Sequence, residues 1–181
     1  RAQAAGERSL ALLQQSVGGE GAAETAETHL SLGDAYLMVG RLDEAVAEYE
    51  AARQSLPSDP RPLAGLGNAY YWQGRYADAE REYGSWIAVA PEDADAHLLL
   101  GMRYLAQGDE AQALPELERA AALATCSTAE HKVLGGAYFD AGRYEDAAAQ
   151  YQKAVEIDPN DADAFYLLGA MFENQAWEGQ V

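Results

Sequence analysis

The sequence predicts an all-α chain built from repeated antiparallel helix pairs, and three regularities carry that prediction. Gly33, Gly67, Gly101, Gly135 and Gly169 stand 34 residues apart, each preceded by a leucine and followed three residues later by an aromatic ring. Those rings are Tyr36, Tyr70, Tyr104, Tyr138 and Phe172, and a second set, Gly40, Gly74, Gly108 and Gly142, keeps the same interval with Ala45, Ala79, Ala113 and Ala147. Thr25, Asp59, Asp93, Ser127 and Asp161 recur in the same phase, all of them side chains that cap helix N-termini by accepting a backbone N–H bond. A fixed period of this length marks a stack of identical supersecondary units.

In chain order, residues 1–17 carry Leu10, Leu13 and Val17 at helical spacing, with Gly6 and Ala11 in phase with the turn glycines and second-helix alanines. They are expected to form the second helix of an earlier pair, or a cap over an apolar edge, and Gly18, Gly19 and Gly21 break the pattern within a segment 1–25. Four full units follow at 26–59, 60–93, 94–127 and 128–161, then a partial fifth at 162–181. In the second unit, a helix from about Pro60 to Gln73 puts Leu63, Leu66, Gly67 and Tyr70 on one stripe. Gly74 closes it with the left-handed backbone that commonly ends helices. The companion helix runs from about Tyr76 to Val89 with Ala79 and Tyr83 inside, and Pro91 forces the next turn. Small Gly67 and Ala79 let the backbones approach while Tyr70 and Tyr83 fill the space beside them.

Two helix starts are reinforced. Asp59 precedes Pro60 at a first helical position, and Ser127 with Glu130 has capping-box spacing. The third unit departs from the pattern, with Thr125 where others have Pro57, Pro91 and Pro159, and with Pro115 early in its second helix, where it removes one hydrogen bond and bends the first turns. Trp86 fills a slot held by Ala52, Ala120 and Ala154 elsewhere, and Gly84 is placed to make room for it.

The order Leu-Gly, Tyr, Ala, aromatic, Pro at a period of 34 resembles the tetratricopeptide repeat (TPR) family, over 26–161 as complete units and 162–181 as a fragment. That resemblance implies a right-handed superhelical solenoid whose first helices line a concave, partner-binding groove. By repeat phase the groove would take Leu30, Asp34, Leu37 and Met38 from the first unit and Asn68, Tyr71 and Trp72 from the second. Leu98, Met102 and Leu105 would come from the third, and Lys132, Phe139 and Asp140 from the fourth, with Tyr166 continuing it. Tyr71 and Trp72 are rotated by about 100° and 200° from buried Tyr70, which turns them toward that groove. A chaperone-binding subset of the family holds a peptide carboxylate with Lys, Arg and Asn, and only Asn68 and Lys132 suggest that set here.

The expected function is therefore a protein-interaction scaffold that holds an apolar or amphipathic peptide or helix of another protein. The alternative is a self-assembling module, a homo-oligomer joined head to tail through an edge at Phe165, Leu168 and Phe172.

Composition narrows the partners. The chain has 181 residues, 49% hydrophobic and 23% charged, with 30 acidic against 12 basic side chains and a formal net charge of -18. Nucleic acids and anionic membranes require a positive field, so neither is expected as a partner. No apolar run approaches the ~18 residues of a membrane span. The chain opens on Arg1 rather than Met, which is expected of a processed piece and leaves room for an anchor or export signal upstream, so compartment is undetermined.

Catalytic and metal chemistry finds little support. Cys126 is the only cysteine. His29, His97 and His131 share one slot, and equivalent slots on successive helices lie ~10 Å or more apart, too far for one metal with ~2 Å ligand bonds. Acidic pairs such as Asp43-Glu44, Glu92-Asp93 and Glu145-Asp146 sit at expected helix starts, where the helix dipole favours them. No nucleophile triad or phosphate loop appears, so no enzyme, metal or cofactor is expected.

Overall fold

The computed structural model describes the backbone of residues 22–124 and 126–178 and the side chains of 26–124 and 126–171. Among these residues are nine α-helices and no strand: α1 (Ala22–Met38), α2 (Leu42–Ser55), α3 (Arg61–Trp72), α4 (Tyr76–Val89), α5 (Ala94–Gln107), α6 (Glu110–Leu123), α7 (Ala129–Asp140), α8 (Tyr144–Ile157) and α9 (Ala162–Glu178). The all-α class of repeated helix pairs is the one observed. The chain divides into two compact units, one ending at Pro91 and the other starting at Glu92. In the first, α1 packs on α2, α2 on α3 and α3 on α4; in the second the same succession runs from α5 to α9.

The turns inside each pair need a left-handed residue, and Gly40, Gly74, Gly108 and Gly142 supply it with φ between 73° and 79°. The glycines in mid-helix serve closeness instead. A Cβ on Gly33 would lie 2.6 Å from the Tyr49 ring, one on Gly101 2.7 Å from Leu117, and one on Gly67 would enter the Tyr83 ring. Ala45, Ala79, Ala113 and Ala147 are fully buried. Second-helix side chains thus lie directly on the first-helix backbone, which fixes the tight pairing.

Asp59, Asp93 and Asp161 cap as expected, accepting N–H bonds from Arg61, Asp95 and Ala164 at 2.9, 3.1 and 3.0 Å. Thr25 lies within α1, which starts at Ala22, and not at the helix start expected for it. Ser127 accepts only a long 3.4 Å bond from Ala129, and Glu130 is buried with its Oε2 lacking a hydrogen-bond partner, so the reciprocal box is not made. Gly84 does not make room for Trp86 either: Trp86 is buried, while nothing stands within 4 Å of a Cβ at Gly84. Pro115 is accommodated within α6, which continues to Leu123. The segment 1–17 and the side chain of Phe172 lie outside the described residues.

Candidate interaction surface

In the first unit, α1 and α3 are in contact. Tyr71 is rotated off the buried stripe, and its ring meets Trp72 edge-on at 5.6 Å and Tyr76 at 5.7 Å. Trp72 is 68% exposed and Met38, at the end of α1, 75%. These are large apolar side chains that the fold does not bury. Leu37, next to Met38 in the chain, is half-buried. Tyr76 belongs to this cluster although it stands on a second helix; the Gly74 turn brings it back beside Tyr71, a proximity that first-helix phase alone does not reveal.

Three expected site residues have other employment. Leu30 is buried in the core and presents no surface, because its position on α1 falls on the packed side. Asp34 is exposed, yet its Oδ1 accepts a 2.7 Å bond from the Tyr49 hydroxyl; Asn68 Oδ1 likewise accepts from Tyr83 at 2.8 Å. Each of these polar groups pins the second helix of its own pair. Burial and the bond to Asp34 together push the Tyr49 phenol up, keeping it neutral as a donor.

The second unit has its own face. Met102 and Tyr166 are exposed, whereas Leu98, Leu105 and Phe139 are half-buried and packed against the core around Leu117, Leu134 and Tyr138. Phe139 also meets the Tyr144 ring at 5.4 Å. Asp140 is exposed. Lys132 is not an open cation: its Nζ donates to Asp161 Oδ2 at 2.8 Å, and Thr128 donates to the same oxygen at 2.7 Å. Those bonds, with the Ala164 N–H, hold the Asp161 carboxyl well below its usual range. The Lys–Asn pair suggested by the sequence is therefore engaged internally at both residues.

The histidines act as clamps between paired helices. Each Nδ1 faces the residue nineteen positions on, with His29 to Glu48 at 2.5 Å, His97 to Glu116 at 2.6 Å and His131 to Gln150 at 2.9 Å. Among the described residues no three His, Cys, Asp or Glu side chains come together as a metal site. A recess of about 510 Å³ lies at the turn end of the first unit, between Arg41, Asp43, Glu44, Gln73 and Arg75. Its guanidinium groups are already paired, Arg41 with Glu44 at 2.9 Å and Arg75 with Asp78 at 2.7 Å, and each stacks on a tyrosine ring, Tyr36 or Tyr70. No helix among the described residues is long and apolar enough to cross a membrane.

Comparison with known proteins places this architecture. Models described as tetratricopeptide repeat match residues 2–60, 36–103 and 94–119, and one described as TPR repeat matches 135–175. No curated protein matches the chain. Among solved structures, that of a MamA protein is 25% identical, covers 87% of this chain and 86% of its own, and superposes with a TM-score of 0.73. YrrB, described as a TPR protein with an unusual peptide-binding site, is 24% identical with a TM-score of 0.69 over 91% of this chain and 84% of its own. The first TPR of Spaghetti (RPAP3), solved bound to an HSP90 peptide, is 25% identical with a TM-score of 0.60, covering 65% of this chain and 93% of its own.

Proposed function

Because the chain belongs to the tetratricopeptide repeat family, we propose that it is a protein-interaction scaffold whose α1–α3 face holds an apolar or amphipathic segment of another protein. The observation that carries this reading is the cluster of Tyr71, Trp72 and Tyr76, which leaves aromatic surface in water, with Met38 also exposed at the end of α1. Contiguous apolar surface of this kind usually marks an interaction site, and Trp, Tyr and Met make good anchors. The peptide bound to the RPAP3 repeat supports the same class of function. With -18 formal charge on the chain, the favoured segment carries Lys or Arg beside its apolar residues, which speeds encounter and fixes orientation. The chemistry is binding rather than catalysis.

The test compares the chain with a Tyr71→Ala/Trp72→Ala variant in affinity capture from the source cell, followed by titration of the captured protein. Both residues are exposed, so the variant keeps its fold. Loss of an aromatic anchor worth ~2 kcal/mol weakens binding about 30-fold. A captured protein that binds both forms equally would remove the α1–α3 face from the function.

A further inference from the structure

The tyrosine hydroxyls inside the helix pairs do not all find an acceptor. Tyr49 donates to Asp34 at 2.7 Å and Tyr83 to Asn68 at 2.8 Å, each acceptor standing fifteen residues before its tyrosine. In the third repeat both positions are apolar, as Leu117 and Met102. The fourth keeps the tyrosine as Tyr151, only 3% exposed on α8, but has Gly136 of α7 at the acceptor position. Among the described residues the Tyr151 hydroxyl makes no hydrogen bond. A Cβ built on Gly136 would have one neighbour within 4 Å, that hydroxyl oxygen at 3.8 Å. A buried donor thus ends at a notch in α7 where a side chain is missing. Asp140 stands one turn further along the same face of α7, is exposed, and is paired with no described side chain.

The geometry points to the notch at Gly136 as a subsite for the carboxamide of an Asn or Gln on a bound protein segment, which supplies from outside the acceptor that Asn68 supplies within the second repeat. The Asn68 bond shows that an amide oxygen suits a tyrosine hydroxyl at this place in the repeat. Burial, and then the charge of Asp140, push the Tyr151 phenol up, so it stays a neutral donor. The same charge disfavours a carboxylate in the notch. A primary carboxamide answers both groups, its oxygen accepting from Tyr151 and its NH2 donating to Asp140. A trans main-chain peptide group points its C=O and N–H in opposite directions and does not meet both. A Lys ammonium pairs with Asp140 but has no lone pair to accept the hydroxyl proton. Glycine at 136 also lets a ligand approach the helix backbone closely. The site lies wholly in the second unit and does not involve the α1–α3 face; it rests on the scaffold reading only in taking its ligand from a protein segment.

Two measurements test the site. In the first, Gly136→Asn fills the notch from within the chain and is expected to raise the melting temperature. Part of that gain is expected to vanish in a Tyr151→Phe background, because the double-mutant cycle isolates the bond between the two. In the second, a phage library of random octapeptides is depleted on the immobilised Gly136→Asn chain and then selected on the wild type. Peptides held by the α1–α3 face are removed in the depletion, so the two sites succeed or fail separately. The survivors are expected to share an Asn or Gln at one position. Replacing that residue by Leu in the synthetic peptide, or using Tyr151→Phe as the target, is expected to weaken binding roughly tenfold. No survivors, survivors without a common carboxamide, survivors carrying Lys in its place, or carboxamide peptides that bind Tyr151→Phe unchanged would each overturn the assignment. A gain from Gly136→Asn that is the same with and without the Tyr151 hydroxyl would also overturn it, and would show that water alone satisfies that group.

Discussion

Gly67 and Gly169 hold the same place in the repeat and respond oppositely to the same change. At Gly67 an added methyl enters the Tyr83 ring, so Gly67→Ala is expected to destabilise by ~1–3 kcal/mol through overpacking. At Gly169 the space is open, and Gly169→Ala is expected to stabilise α9 by ~0.5–1 kcal/mol through reduced backbone freedom in the unfolded chain. Urea unfolding of both variants checks the pair of signs; equal signs would mean that the glycines report helix propensity alone. A second residue-scale rule links positions fifteen apart. Tyr49 bonds Asp34 and Tyr83 bonds Asn68, while in the third repeat Leu117 replaces the tyrosine and Met102 replaces the acceptor. In the fourth repeat the tyrosine is kept as Tyr151 while Gly136 stands at the acceptor position, so the buried ring packs there without a side-chain acceptor at that position. Asn68→Ala is expected to cost about 1 kcal/mol, and Asn68→Asp, which keeps an acceptor, markedly less. That Asp34 and Asn68 are held by their own helix pairs was not legible in the sequence, because groove phase and pair phase assign the same residue to two roles.

Paired helices are clamped at one slot by His29, His97 and His131, and the exception there is chemically informative. In the second repeat the histidine is Leu63, and the residue facing that slot, Glu82, is buried and relies on Arg53 at 3.2 Å. Burial raises the Glu82 carboxyl more than the arginines lower it. A carboxyl raised above its unfolded value of ~4.3 makes the folded state bind more protons between the two pKa values, so stability falls as pH rises through that window. Acidification from neutral pH toward the raised value should stabilise the chain through Glu82, and Glu82→Gln should remove that gain while leaving the protein no less stable at neutral pH. Asp161 works in the opposite direction. Its carboxyl is lowered, first by the bond from Lys132, then by Thr128 and the Ala164 N–H, so its contribution is present above the unfolded value of ~3.9 and lost only as pH falls below it. Thermal melts of the chain, Glu82→Gln and Asp161→Asn across acid pH would separate the two windows. A Glu82→Gln melt that tracks the wild type at every pH would mean that Arg53 compensates the burial fully.

At the scale of the molecule, the 34-residue period made fold class, helix-pair turns and most helix limits legible, because the units meet the same local demands: an apolar stripe, a left-handed glycine in each of four turns and, at Asp59, Asp93 and Asp161, a capping acid. What escaped was set by three-dimensional neighbours. Leu30 faces the core, Lys132 is fastened to Asp161, and Tyr76 reaches the surface cluster from across a turn. Net charge belongs wholly to this scale. At -18 the chain repels itself, so raising ionic strength from ~0.01 M to physiological, where the screening length falls from ~30 to ~8 Å, should raise its melting temperature. A partner segment flanked by Lys or Arg is attracted by that field, so salt should weaken its capture on the α1–α3 face, mainly by slowing association. Titration of that capture across a salt series should therefore show affinity falling as salt rises. If capture of the partner instead tightened with salt, apolar burial at Met38, Tyr71 and Trp72 would account for it without a cationic flank, and the segment's charge would drop out of the recognition.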